Sequence, residues 1–205
     1  MLAARPESPR MFDSDFADFF TRTPWWSVLV FWGPITVALV AYGIVANGVA
    51  WYFAAFQVLI GIVFWTLSEY WLHRTVFHWE HDSDLGRRFH FIVHGVHHDW
   101  HRDPFRLVMP PAAGVIIASF FWFGFHGIAS VLSPWVAPTW VPIFMGGFLG
   151  GYMAYDMLHY AIHHVRFKNK HFVRLRHHHM SHHFTNHDTN FGITNTLWDK
   201  VFRTL

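Results

Sequence analysis

Four long uncharged stretches separate the apolar parts of the chain from the polar parts. They cover about residues 24–46, 49–68, 107–132 and 134–155. Each is close to the ~20 residues that an α-helix needs to cross a ~30 Å hydrocarbon core. Buried helices of soluble proteins seldom stay uncharged over this length four times in one chain. The pattern therefore predicts an all-α integral membrane bundle of four transmembrane helices, in one domain over residues 1–205.

Lysine and arginine are distributed unevenly around these stretches. All 15 lie in the polar leader (Arg5 is one of them), in segment 73–106, or after residue 159. The short connections at Asn47 and Ser133 carry none. By the positive-inside rule, both termini and the middle segment lie in the cytosol, and the apolar stretches pair into two hairpins.

The composition fits a protein that is embedded in lipid. Hydrophobic residues make up 53%, aromatic residues 20% and charged residues only 14% of the chain. The absence of cysteine excludes disulfides, thiolate metal sites and cysteine nucleophiles. The formal net charge is only +2, and the basic residues alternate with histidines. A membrane surface explains them better than nucleic acid, so no nucleic-acid partner is expected.

Histidine is concentrated in four short motifs beside the apolar stretches. The motifs read H-x-x-x-x-H, H-x-x-H-H, H-x-x-x-H and H-x-x-H-H, and all four fall on the predicted cytosolic side. Imidazole without thiolate suits iron, copper, nickel or zinc, and ten donors are too many for one ion. The motifs predict a cytosolic, histidine-rich helical cap that holds two metal ions. The candidate ligands are His73, His78, His94, His97, His98, His159, His163, His179, His182 and His183.

Helix geometry explains three of the four motifs directly, because positions i, i+3 and i+4 share a face. His73 and His78 differ, since five steps separate them by about 140° on a regular helix. Either the helix ends between them or a π-type turn brings them together. Asp156, one turn before His159, is either a hydrogen-bond acceptor for the distal N–H of a ligand imidazole or a helix-end carboxylate at the interface.

The other nine histidines are not predicted to bind metal. His126 lies about 28 Å along a helix from Leu107, which is the far side of the membrane. The register around residue 179 is ambiguous, and His179 is chosen because it completes H-x-x-H-H. The histidines near the clusters but outside their spacing are His81, His90, His101, His164, His171, His177, His178 and His187.

Three further segments accompany the histidines. They are Glu69-Tyr-Trp-Leu-His73, Asp103-Pro-Phe-Arg-Leu-Val-Met-Pro-Pro111 and Phe191-Gly-Ile-Thr-Asn-Thr-Leu-Trp-Asp-Lys200. Together with the histidine spacing, they resemble the fatty acid hydroxylase / sterol desaturase superfamily of membrane di-metal oxygenases. The likeness runs from about Phe19 and is greatest to the fatty acid 2-hydroxylases that act on sphingolipid acyl chains. The resemblance implies the same ten histidines as metal ligands, and no separate catalytic residue is assigned.

The resemblance also implies a reaction and its cofactors. It implies two iron ions, with zinc possible in overproduced protein, that use O₂ and external electrons to hydroxylate a long-chain fatty acid or ceramide acyl chain at C2. Many eukaryotic relatives carry an N-terminal haem domain for which this chain has no room. No haem or flavin is therefore expected, and a separate electron carrier and reductase would supply electrons. The expected location is the bacterial inner membrane or the endoplasmic reticulum.

Two other interpretations stay open. The same site could belong to a sterol desaturase or a carotenoid hydroxylase of the superfamily. A different class would be a zinc-dependent membrane hydrolase or a metal-handling membrane protein. The histidine motifs contain no H-E-x-x-H, which a hydrolase of the zincin type would use. A transporter would need ionisable residues at mid-membrane, and the four stretches hold none at that depth.

Overall fold

The apolar stretches become long helices. The computed structural model describes residues 8–205, which are mostly helical and contain no β-strand, while Arg5 of the predicted leader lies outside the described residues. The α-helices are α1 (Asp15–Thr21), α2 (Trp26–Val45), α3 (Trp51–Trp71), α4 (Asp84–His90), α5 (Val96–Asp99), α6 (Pro111–Leu132), α7 (Trp140–His164), α8 (Lys170–Phe184) and α9 (Leu197–Phe202), with π-helices π1 (Leu72–Phe77) and π2 (Phe91–Gly95).

Proline sets two helix starts later than the apolar pattern predicted. The third stretch was predicted from residue 107, but α6 begins at Pro111. Proline is favoured in the first turn of a helix, where its missing N–H has no partner to lose. The fourth stretch was predicted from residue 134, but α7 begins at Trp140. Pro138 lies just before it and disfavours helical backbone at the residue that precedes it.

Within residues 8–205, three helices have the length and composition to cross a membrane. They are α2, α3 extended through π1, and α6. Each exposes large apolar side chains, such as Val37 on α2, Phe56 on α3 and Phe120 on α6. An exposed apolar surface of this extent is unfavourable in water and favourable against lipid tails. These helices indicate a membrane protein.

The fourth predicted span is a helix, but it is not among these three. In α7, residues 141–149 are all buried. A Cβ on Gly147 would lie 2.2 Å from the carbonyl oxygen of Val58, and one on Gly61 would lie 2.3 Å from that of Phe144. Glycine thus lets α3 and α7 touch backbone to backbone, as small residues do in membrane bundles. A buried helix with many glycines has lower hydropathy, so the count of four spans stays a prediction.

The chain divides into two compact units. The apolar unit is Trp26–Trp65 with Met109–Ala154, and the histidine unit is Met1–Trp25 with Thr66–Val108 and Tyr155–Leu205. In the apolar unit, the Phe148 ring contacts Trp65 and Phe121 at centroid distances of 5.0 and 4.6 Å. All ten candidate ligands belong to the histidine unit. The single domain over residues 1–205 stays a prediction.

A buried ion pair fastens the N-terminal segment within the histidine unit. Arg106 Nη2 donates to Asp18 Oδ1 at 2.9 Å, and both side chains are buried. Burial raises the pKa of Asp18, but hydrogen bonds from the Met11 backbone, Arg22 and Arg106 lower it well below its ordinary range. Asp18 therefore stays ionised at neutral pH, and its charge is matched by arginine.

The predicted topology can be tested by cysteine labelling, because the chain has no cysteine of its own. Asn47→Cys and Ser133→Cys should react with a membrane-impermeant thiol reagent only from the non-cytosolic side. Lys168→Cys, at an exposed position of the histidine unit, is the matched control and should react only from the cytosolic side. Labelling of Asn47→Cys from the cytosol would contradict the two-hairpin arrangement.

Candidate metal centre

A π-helix places the first histidine pair. The backbone N–H of His78 donates to the carbonyl of His73 at 3.2 Å, which is the i to i+5 hydrogen bond of a π-helix. The two rings consequently lie on one side of the chain, with centroids 5.0 Å apart. Of the two arrangements predicted for this pair, the structure has the π-type turn.

The ten predicted histidines meet in two clusters of five. In each cluster, one ring nitrogen from every residue lies within 4.8 Å of the others, so each cluster could hold a metal ion. Each H-x-x-H-H motif contributes to both clusters. The His73 cluster is His73, His78, His94, His98 and His182, and the His97 cluster is His97, His159, His163, His179 and His183.

The spacing of the nitrogens fits shared ions. In the His73 cluster, His94 Nε2 lies 3.0 Å from His73 Nε2 and 3.0 Å from His98 Nε2. In the His97 cluster, His159 Nε2 lies 3.0 Å from His97 Nε2. Two nitrogens that are each about 2.1 Å from one ion are about 3.0 Å apart at a right angle, and about 3.4 Å apart at a tetrahedral angle. The observed spacing therefore suits five or six ligands better than four.

Hydrogen bonds alone cannot account for these contacts. His179 Nε2 lies 3.0 Å from the Nε2 of His159 and 2.9 Å from that of His163. It also lies 3.0 Å from His183 Nε2. A single N–H can serve only one of these neighbours, and the remaining lone pairs would repel one another. A cation at the point where they converge removes this conflict, so the donor set fits a metal ion.

Burial keeps the imidazoles neutral. Burial, together with the neighbouring His182, lowers the pKa of His78 to about 3. It lowers the pKa of His182 to about 4, although the hydrogen bond to Thr189 opposes this change. The pKa of His97 is held well below its ordinary value by burial and by His159. At neutral pH these rings offer lone pairs rather than protons, as metal ligands must.

Backbone carbonyls orient two ligands of the His73 cluster. His73 Nδ1 donates to the carbonyl of Phe191 at 2.6 Å, and His182 Nδ1 donates to that of Thr189 at 2.7 Å. A proton fixed on Nδ1 leaves the lone pair on Nε2, directed into the cluster. The sequence did not reveal these acceptors, because any residue can supply a carbonyl.

The other histidines and Asp156 lie as follows. His126 belongs to the apolar unit and to neither cluster. His187 was predicted to lie near the clusters but outside their spacing; its ring is 4.9 Å from that of His98, and it belongs to neither cluster. Asp156 is buried, and its role as a partner of a ligand imidazole stays a prediction.

Comparison with known proteins identifies the family. A sequence model of the fatty acid hydroxylase family matches residues 58–204. The chain is 39% identical over 199 residues to the dihydroceramide fatty acyl 2-hydroxylase FAH2 of Arabidopsis thaliana, covering 97% of this chain and 81% of that protein. The chain belongs to the fatty acid hydroxylase family.

Two yeast comparisons extend this family assignment. The chain is 36% identical to the ceramide very long chain fatty acid hydroxylase SCS7 of Saccharomyces cerevisiae, covering 93% of this chain and 48% of that protein. A solved structure of full-length scs7p, in which only the hydroxylase domain is visible, matches with a TM-score of 0.82 at 34% identity. That match covers 93% of this chain and 69% of the solved chain, so the fold of this family member is shared nearly throughout.

The ligand assignment predicts the metal content of single variants. His97→Ala and His182→Ala each remove a donor from a different cluster, so each should lose about one ion per chain and abolish activity. His126→Ala, a histidine variant outside both clusters, should keep the full metal content. Elemental analysis of the purified chains checks this. Metal loss from His126→Ala with retention by His97→Ala would show that the assignment is wrong.

Proposed function

We propose that the chain is a membrane di-iron oxygenase that hydroxylates a long-chain fatty acid or ceramide acyl chain at C2. The reaction would use O₂ and electrons from a separate protein. The observation that carries this proposal is the pair of five-histidine clusters in a member of the fatty acid hydroxylase family. Relatives of the chain are named fatty acyl and fatty acid 2-hydroxylases, and these names support C2 as the position of the hydroxyl group.

The donor set favours iron over zinc as the working metal. Structural zinc sites are almost always tetrahedral with four ligands, whereas each cluster here offers five nitrogens spaced for right angles. Two iron ions, when bound, would supply the reduction of O₂ and the insertion of one oxygen atom into a C–H bond. Zinc binds histidine tightly, so zinc in an overproduced preparation would reflect affinity and availability rather than function.

The protein's own contribution is to hold neutral donors in a dry site. His73, His179 and His182 are 0% exposed. Neutral ligands do not cancel the charge of a bound cation, and exclusion of water strengthens every electrostatic interaction at the site. The same exclusion protects a reactive centre from side reactions with solvent.

An acyl chain would be bound by apolar surface. The apolar unit offers such surface on exposed side chains of α2, α3 and α6, among them Val37, Phe56 and Phe120. Burial of each CH₂ group contributes about 0.8 kcal/mol, so long chains should bind better than short ones. No side chain is assigned to the lipid head group.

The topology completes the proposal. With α7 as the fourth span, both termini and the histidine unit would face the cytosol, where soluble electron carriers are available. The membrane would be the bacterial inner membrane or the endoplasmic reticulum. The lipid substrate would enter from the bilayer.

Isotope labelling tests the reaction. Cells that express the chain and grow under ¹⁸O₂ should yield 2-hydroxy acyl lipids in which the hydroxyl carries one ¹⁸O atom, with long chains preferred. Mass spectrometry of the hydrolysed lipids measures this, and cells with His97→Ala are the control. Label on a sterol or carotenoid ring, with unmodified acyl chains, would instead favour another branch of the superfamily. A hydroxyl oxygen derived from water would contradict the oxygenase proposal.

The need for an external electron donor gives a second test. The chain has no cysteine to hold an iron–sulfur cluster, and neither haem nor flavin is expected in it. Iron-loaded protein with O₂ and NAD(P)H alone should turn over negligibly, and a reductase with a small electron carrier should restore product formation. Turnover without O₂ and without reductant would favour the zinc hydrolase.

A further inference from the structure

The tail segment 189–194 orients part of the metal centre although it is not helical. Its Thr189 and Phe191 carbonyls accept the Nδ1–H groups of His182 and His73. Asn190, between them, has a left-handed φ of 62°, and the segment has no regular hydrogen-bond ladder. The position of its carbonyls must therefore be set by other contacts.

Glu69 supplies one set of these contacts. Its side chain is 2% exposed, and its Oε1 accepts the backbone N–H groups of Ile193 at 2.7 Å and Thr194 at 2.8 Å. Its Oε2 accepts the hydroxyl of Thr194 at 2.7 Å. A buried carboxylate is costly unless donors compensate it, and here three donors from one segment do so.

Asp199 supplies the second set, from α9. It is 0% exposed, and its Oδ1 accepts the Phe191 N–H at 2.9 Å while its Oδ2 accepts the Gly192 N–H at 2.8 Å. A Cβ on Gly192 would lie 2.8 Å from Asp199 Oδ2 and 2.2 Å from the carbonyl oxygen of Asn195. Only glycine lets the backbone approach the carboxylate this closely.

The two carboxylates thus hold four consecutive residues. Asp199 binds the N–H groups of Phe191 and Gly192, and Glu69 binds those of Ile193 and Thr194. Charge-assisted hydrogen bonds of this kind are roughly twice as strong as neutral ones. Together these hydrogen bonds fix the position of the Phe191 carbonyl, which accepts the Nδ1–H of His73. Asp199 also contacts His178 Nε2 at 3.1 Å and accepts the hydroxyl of Thr204 at 2.8 Å, and neither residue belongs to a cluster. None of these bonds involves a member of the His97 cluster.

We propose that Glu69 and Asp199 are positioning residues that set the metal affinity of the His73 cluster and not that of the His97 cluster. They act through segment 191–194, which fixes the tautomer and the direction of His73. The proposal rests on the metal-binding role proposed above. A purely structural role would lower the stability of the whole chain without a selective effect on one ion.

Metal titration of the full chain in detergent tests this proposal. Co²⁺ is the probe, because its visible absorption reports coordination, and a competing chelator yields a dissociation constant for each of the two ions. Glu69→Gln removes the negative charge and replaces one acceptor oxygen with an NH₂ group. In Asp199→Asn, the same change occurs at the other carboxylate. Each variant should weaken the binding of the ion in the His73 cluster by about 10- to 100-fold, since partners of ligand imidazoles have effects of this size. Binding of the ion in the His97 cluster should be unchanged.

The matched control is Asp18→Asn. Asp18 is a buried carboxylate of the same unit that accepts from Met11, Arg22 and Arg106 and does not touch segment 189–194. Its loss should lower the melting temperature and leave both dissociation constants unchanged. The proposal would be overturned if Glu69→Gln and Asp199→Asn weakened the binding of both ions equally, or if Asp18→Asn weakened the binding of the same single ion.

A milder variant covers the case in which Glu69→Gln does not fold. Thr194→Val keeps the size of the side chain and removes only the hydroxyl that donates to Glu69 Oε2. It should weaken the same ion by a smaller factor, and unchanged constants in Thr194→Val and Asp199→Asn would contradict the proposal.

The titration needs neither O₂ nor lipid, so its outcome is independent of the reaction. A wild-type chain that binds two ions but forms no 2-hydroxy product would refute the proposed function and leave the positioning role standing. A wild-type chain that binds fewer than two ions would contradict the metal centre before any variant is compared.

Discussion

The convergence of ten neutral imidazoles on two points is the constraint around which the histidine unit is built. The lone pairs of imidazole nitrogens that lie 2.9–3.0 Å apart repel one another unless a cation lies among them. Because such ligand sets rarely exist in an unfolded chain, the free energy of metal binding also stabilises the fold. The clusters join π1, π2 and α5 to α7 and α8, which come much later in the sequence. Bound metal would thus hold these elements together as well as provide the chemistry.

The sequence revealed the members of the clusters but not how they divide. Imidazole chemistry and motif spacing are local properties, and the ten residues could be chosen from them, although His73 and His78 did not fit the spacing of a regular helix. The division is not local. His97 belongs with His159 of α7, whereas His94 and His98, in the same motif, belong with His73 of π1. It depends on how the helices pack, and no single motif encodes that packing.

The apolar stretches were predicted well as helices and less well at their ends. Length and hydropathy are good predictors of a helix whose apolar side chains are exposed. α2, α3 and α6 are such helices. Length and hydropathy describe a helix surrounded by other helices poorly, because glycine and close packing replace large apolar side chains there. Residues 141–149 of α7 are such a case. Gly147 contributes little hydropathy, yet it allows a contact between backbones that a larger residue would prevent.

The two clusters differ in how their ligands are held, and the difference follows from their backbones. The His97 cluster takes pairs from regular helices, with His159 and His163 on α7 and His179 and His183 on α8, each at i and i+4. Regular helix geometry directs such pairs to one side without further help. The His73 cluster instead uses a π-turn pair at i and i+5, where the backbone sets ring direction less firmly. It is in this cluster that Nδ1 groups donate to the carbonyls of the tail segment. The irregular cluster therefore depends on segment 189–194 for an alignment that the regular cluster obtains from its helices, and the buried carboxylates Glu69 and Asp199 are placed where that alignment is needed.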